Sequence, residues 1–175
     1  MGGAGILIYA AAALVIPDEG KEDSIGALIN NAGYSQSGAI ETVPMDSVRR
    51  QFETNVFGLM RMCQLVLPGM RKAGAGRIVN VSSMGGKLVF PGGGVYHATK
   101  HAVEALSDAL RWEVKGFGIE VVIIEPGLIK TQFGETAVGT FGDIGDHGPY
   151  DSFNAVVGQA TAAPYEGPMA KLGAG

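Results

Sequence analysis

Residues 77–100 read RIVNVSSMGGKLVFPGGGVYHATK. Arg77–Ser82 is a short run rich in β-branched residues, and its hydrophobicity is continuous rather than alternating. That pattern suits a strand buried on both faces, as in a parallel sheet. A glycine-bearing turn follows, then a proline with three glycines at 91–94. From Val95 to about Lys115 apolar residues recur at helical spacing (Ala98, Ala102, Leu106, Ala109, Leu110), and Gly116 and Gly118 supply the stop. The stretch is therefore strand, turn, helix. Tyr96 and Lys100 stand four apart at the start of that helix, which puts them on one face.

The same unit repeats on either side. Gly26–Asn30 (GALIN) and Ile119–Glu125 (IEVVIIE) are further apolar runs. Between the first and Arg77 lies a long helical pattern with Val48, Phe52, Val56, Leu59, Cys63, Val66 and Leu67 on its apolar side. Asp46 is the expected N-cap and Gly74 the stop. The order is β-α-β-α-β, with right-handed crossovers expected. A doubly wound, parallel α/β sheet is the predicted architecture. Residues 132–175 are rich in Gly, Ala, Pro and Asp and show no such pattern, so a flexible loop region is expected there.

The 175 residues fit a single domain with a real core. With 46% hydrophobic and 17% charged residues the chain is a soluble globular protein by composition. A net charge of −4 without a basic run argues against a nucleic-acid partner. The longest apolar run, residues 4–16, has thirteen residues. That is short of the ~20 needed to span a membrane. No Lys or Arg precedes it, as a secretory signal would require. A buried strand or helix is expected there instead. The lone Cys63 makes no internal disulfide and reads as a buried structural thiol in a reducing, cytoplasmic setting.

In parallel α/β sheets, sites form beyond the carboxyl ends of the strands. Here those ends carry NNAG (Asn30–Gly33), SSMGG (from Ser82) and EPG (Glu125–Gly127). Singly, each has an ordinary reading: an Asx turn for Asn30 and Asn31, or backbone satisfaction by Ser82 and Ser83. Together they carry a resemblance. NNAG, then TNV with Asn55, IVNVSS ending at Ser83, Tyr96-x-x-x-Lys100 and Pro126-Gly127 occur in order. From Ile25 to Thr131 the chain resembles the short-chain dehydrogenase/reductase family, whose fold is Rossmann-like.

The resemblance implies an NAD- or NADP-dependent oxidoreductase acting on a small-molecule alcohol or ketone, commonly as a homodimer or homotetramer. Tyr96 would exchange the proton of the substrate oxygen, and Ser83 would hydrogen-bond that oxygen. Lys100 would hold the nicotinamide ribose and lower the tyrosine pKa. Asn55 would anchor a water relay from its bend in the long helix. Asn31 would touch the adenosine side of the cofactor, and Ile129 and Thr131 would hold the carboxamide. Tyr34, Gln36, Gly86, Phe90, Val95 and the stretch after Thr131 would line the substrate pocket. A free tyrosine titrates near ~10, and an ammonium at ~4 Å in an effective dielectric of ~20 supplies about 4 kcal/mol, enough for three units.

Other polar residues read plainly. His97 and His101 point away from the Tyr–Lys pair and suit surface or packing roles. Trp112 suits core or interface. His147 with Asp143 and Asp146 lacks the third rigid ligand of a metal site. The family's glycine-rich phosphate turn after a first strand has no counterpart, because the glycines of MGGAG precede their apolar run. Residues 1–24 are too few for the family's first βαβ units. The expectation is an incomplete domain, truncated at both ends, in which residues 5–16 partly cover the sheet edge as a surrogate strand. The alternative is a catalytically incompetent fragment or a non-enzymatic interaction module of the same fold.

Overall fold

The structure, a computed structural model, describes residues 13–17, 25–128, 132–140 and 148–166. The expected contributions of Ile129, Thr131, Asp143, Asp146 and His147, and most of residues 1–24, lie outside these. Four strands form one sheet in spatial order: β1 (Ala13–Pro17), β2 (Ile25–Asn30), β3 (Gly76–Val81) and β4 (Ile119–Ile124). β2, β3 and β4 are parallel, with Ala27, Arg77 and Glu120 in one register row. β1 runs antiparallel to β2, Leu14 opposite Ile29, so the sheet is mixed. The surrogate edge strand exists, but it is Ala13–Pro17 and it runs in reverse. A proline at its end suits an edge.

The first crossover is α1 (Met45–Phe52), a π-helical turn (Glu53–Gly58) and α2 (Leu59–Ala73). Pro44 rather than Asp46 occupies the N-cap, and Asp46 instead accepts from Arg49 Nη1 at 3.0 Å. The second crossover is α3 (Gly94–Val114), followed by a 3-10 turn over Lys115–Phe117. Gly118 stops it at φ 71°, and a Cβ there would stand 2.2 Å from the carbonyl oxygen of Gly74, the C-cap of α2. Both helices thus end against each other before re-entering the sheet.

One core joins both crossovers to one sheet face. Leu28, Ile78, Ile119 and Val121 pack with Leu59, Cys63, Val66 and Met70 of α2 and Val103 and Val114 of α3. The strands alternate accordingly, and among the described residues the other face is open. Leu14, Ile16, Val122 and Ile124 are exposed on it. The continuous apolar runs are those of a two-sided sheet, of which the described residues cover one side.

The inward face of α3 differs from the predicted stripe. Ala98 and Ala109 are exposed, whereas Tyr96, Thr99, Lys100, Val103, Glu104 and Ser107 are buried. Trp112 is exposed, with the Lys115 ammonium 5.6 Å from its ring, and is not core. Two further helices occupy the region without sequence pattern: α4 (Gln132–Gly139) and α5 (Asp151–Glu166). Thr140, which follows α4, accepts from the backbone N–H of Ser37 at 3.0 Å. Tyr150, which precedes α5, donates to Glu41 Oε2 at 2.6 Å. These bonds hold the α4–α5 segment on the loop after β2.

Candidate active site

The carboxyl ends of β2, β3 and β4 meet the start of α3. β3–β4 pairing continues past the strands through Ser82 N to Ile124 O (2.8 Å) and Met84 N to Pro126 O (3.0 Å). This fixes the Ser83–Gly86 turn against Pro126. Ser83 is extended, and its Oγ accepts from Gly85 N at 3.0 Å. That bond pins the side chain as an acceptor and leaves its own O–H uncommitted.

The turn lies on α3. A Cβ at Gly85 would be 2.5 Å from His97 Nδ1 and 3.3 Å from the Tyr96 ring, so only glycine permits this approach. His97 Nδ1 bonds the Gly85 carbonyl at 3.1 Å, and burial pulls its pKa below the ordinary value. Its packing role agrees with the sequence reading. On the other side Lys87 Nζ stands 2.9 Å from Glu104 Oε2, so a second contact ties the end of the turn to α3.

Tyr96 is buried at 8% exposure, and Lys100 Nζ lies 5.8 Å from its ring centroid. Lys100 donates to Val81 O at 2.8 Å and is itself buried. Desolvation pushes its pKa down to about 8, partly opposed by the nearby Glu104 carboxylate. An ammonium has three donors, so two remain beyond the Val81 bond. Tyr96, Lys100 and the Ser83 turn are therefore brought together.

Asn55 sits in the π-helical turn and is almost wholly buried. Its amide donates to Tyr34 O and to Thr99 Oγ1, both at 3.0 Å, while its Oδ1 accepts from Tyr34 N at 3.2 Å. The π turn aims this side chain inward, where it bolts the NNAG turn to α3; such turns recur at functional sites. Asn31 is exposed at the end of β2. A Cβ on Gly33 would come within 3.3 Å of Asn55 Oδ1 and 3.5 Å of Lys100 Nζ, so this turn passes directly over the ammonium.

Several residues were missed or misplaced by the sequence reading. Asn30 is no Asx turn: its side chain enters the core, donating to Asn80 Oδ1 at 2.9 Å, and Asn80 donates to Ser107 Oγ at 2.9 Å. Gln36 is buried and bonded to backbone, and Gly86 packs on Glu104 and Ser82. Of the proposed pocket residues that the structure describes, Phe90 alone lines a cleft of about 750 Å³ formed by Gly38–Glu41, Val89–Gly92, Gly94, Tyr150 and Phe153. Burial pushes the Cys63 thiol up to about 11, which disqualifies it as a nucleophile. Among the described residues no helix is long and apolar enough to cross a membrane, and no three His, Cys, Asp or Glu side chains are placed to hold a metal.

A serine turn, a tyrosine and a buried lysine thus meet at the carboxyl ends of the parallel strands, where sites form in Rossmann-like sheets. The short chain dehydrogenase family model matches residues 13–139, and the chain belongs to that family. It is 48% identical over 117 residues to YusZ, an uncharacterized oxidoreductase of Bacillus subtilis, covering 67% of this chain and 42% of that protein. It is 44% identical over 128 residues to a 3-ketodihydrosphingosine reductase of Bacteroides thetaiotaomicron, covering 73% and 46% respectively. A gluconate 5-dehydrogenase of Burkholderia cenocepacia, solved with NADP and tartrate, is similar in structure. It has a TM-score of 0.63 and 25% identity over 74% of this chain and 48% of that one. The chain thus spans less than half the length of these curated relatives.

Proposed function

We propose that this chain carries the catalytic half of an NAD(P)-dependent oxidoreductase that interconverts a secondary alcohol and a ketone. The observation that carries the reading is the gathering of Tyr96, Lys100 and the Ser83 turn at the sheet's carboxyl edge. A relative named for reducing a ketone and a similar structure holding NADP favour it. The residues fit a nicotinamide ribose on one count: a buried ammonium with two spare donors under a close-passing glycine turn. The dinucleotide, when bound, supplies or accepts the hydride.

The chain's own residues handle the oxygen and its proton. In the reductive direction Tyr96 gives its hydroxyl proton to the carbonyl oxygen as charge develops, and Ser83 donates its free O–H to the same atom. At 5.8 Å and an effective dielectric of ~20, the Lys100 ammonium favours negative charge at the tyrosine by about 3 kcal/mol. Asn55 Oδ1 keeps one lone pair beyond its Tyr34 bond, enough to accept from a relay water. Asn31, Ile129 and Thr131 are assigned to the cofactor through the family resemblance.

Tyr96→Phe is expected to lose ~10²–10⁴-fold in NAD(P)H-dependent ketone reduction while nicotinamide fluorescence still reports cofactor binding. Full turnover by this variant overturns the mechanism. The competing reading is a non-enzymatic module of the same fold. Saturable NADH or NADPH binding with turnover by the chain rules it out, and the absence of both rules it in.

A further inference from the structure

The cleft at the start of α3 carries information about the substrate. Its floor is backbone: Gly38 N bonds Gly92 O at 2.8 Å, and both glycines hold positive φ (137° and 74°), leaving no side chain to fill the space. Its walls are apolar and left in solvent, with Ile40 78%, Val89 67% and Phe90 47% exposed. Large aliphatic side chains grouped around a concavity mark a binding surface rather than ordinary surface scatter. The volume of about 750 Å³ lies within the ~300–1,000 Å³ of small-molecule sites.

The cleft adjoins the start of the helix that carries the reacting groups. Gly94 lines it and opens α3, two residues before Tyr96. The Phe90 and His97 rings lie 5.6 Å apart and tilted, as do those of His97 and Tyr96, so one aromatic row runs from the wall to the phenol. Among the described residues Glu41, held by the Tyr150 hydroxyl, is the only charged residue in the lining, and none of them offers a cation to a carboxylate or phosphate.

Resting on the oxidoreductase reading, we infer that the substrate is an alcohol or ketone with an aliphatic tail and no anionic head, the tail lying in this cleft. The glycine floor accepts the chain's width, the Ile40 and Val89 side chains close over it, and Glu41 repels anionic competitors.

The test is a titration of the methyl-labelled protein with 2-alkanones from 2-pentanone to 2-undecanone, followed by NMR. Affinity is expected to rise about fourfold per added methylene, the equivalent of ~0.8 kcal/mol, until the tail outruns the cleft. The Ile40 and Val89 methyl signals should move. The same ketones bearing a terminal carboxylate should bind at least tenfold more weakly. Ile40→Asp and Val89→Asp, both at exposed positions, should each flatten the chain-length series while circular dichroism stays native.

Affinity independent of chain length, shifts elsewhere, or equal binding of the carboxylated ketones overturns the inference. The two readings separate cleanly. Chain-length-dependent binding without NAD(P)H-dependent reduction sinks the oxidoreductase reading and leaves the tail site. Reduction whose efficiency ignores chain length does the opposite.

Discussion

Lys100 makes a quantitative prediction about stability. Its pKa falls from 10.5 to about 8 through burial. Below pH 8 the folded protein holds a desolvated ammonium that the unfolded chain would keep in water. The depressed pKa of a base therefore costs stability at low pH, and that cost is relieved as pH rises from about 8 to about 10.5. The full shift corresponds to about 3 kcal/mol, of which about 2 kcal/mol is recovered between pH 7 and 9.5. Cys63 acts oppositely. Its raised pKa, about 11, contributes stability below pH 9 that is lost above it, under 1 kcal/mol by pH 9.5.

Urea denaturation followed by helical circular dichroism at pH 7.0, 8.0, 9.0 and 9.5 measures this balance. The wild-type chain should gain about 1 kcal/mol across the range, and Lys100→Met should instead lose slightly under 1 kcal/mol. At pH 7 the variant removes the buried charge but also strips the donor from Val81 O, a loss of ~1–3 kcal/mol, so its net stability there changes little. The difference in slope, about 2 kcal/mol, is the diagnostic quantity. Equal slopes would refute a buried, depressed lysine, and with it the desolvated site on which the proposed chemistry depends.

Gly85→Ala drives a Cβ to 2.5 Å from His97 Nδ1, so it should cost ~1–3 kcal/mol in urea melts and lower turnover more than tenfold by displacing the Ser83 turn. Unchanged turnover would show that the turn's approach to α3 is unimportant. The open sheet face with Leu14, Ile16, Val122 and Ile124 exposed should enhance ANS fluorescence in the native protein. Val122→Lys should reduce that signal while changing stability by less than ~0.5 kcal/mol; no native ANS signal would mean the face is covered.

The strands were legible because β-branched runs bounded by turns have few other solutions, and each lies within about a residue of its expected limits. The glycine stops at Gly74 and Gly118 were legible for a local reason, a left-handed backbone at each. The bend at Asn55 came through the family resemblance and not through periodicity, because Phe52, Val56 and Leu59 keep an apolar spacing that an ordinary helix also satisfies. The direction of β1 was hidden too, since ALVIP pairs equally well either way and only the chain's path decides. α4 and α5 escaped notice because side-chain to loop bonds at Thr140 and Tyr150, not an apolar stripe, hold that segment in place.

The misjudged face of α3 is the most informative difference. An apolar stripe predicts Ala98, Ala102 and Leu106 inward, yet the helix turns Thr99, Lys100, Glu104 and Ser107 to the core. Each of these polar groups has a specific partner that offsets burial: Thr99 the Tyr96 carbonyl and the Asn55 amide, Lys100 the Val81 carbonyl, Glu104 the Lys87 ammonium, Ser107 the Asn80 amide. Apart from the Tyr96 carbonyl, every partner lies on or beside a strand end or on the Asn55 turn, so polar contacts to the site orient the helix together with Val103 and Val114 in the core. A helix selected for stability alone would rotate to bury its alanines and leucines. That this one does not is why the sequence's weakest structural prediction falls on the element holding its clearest chemistry.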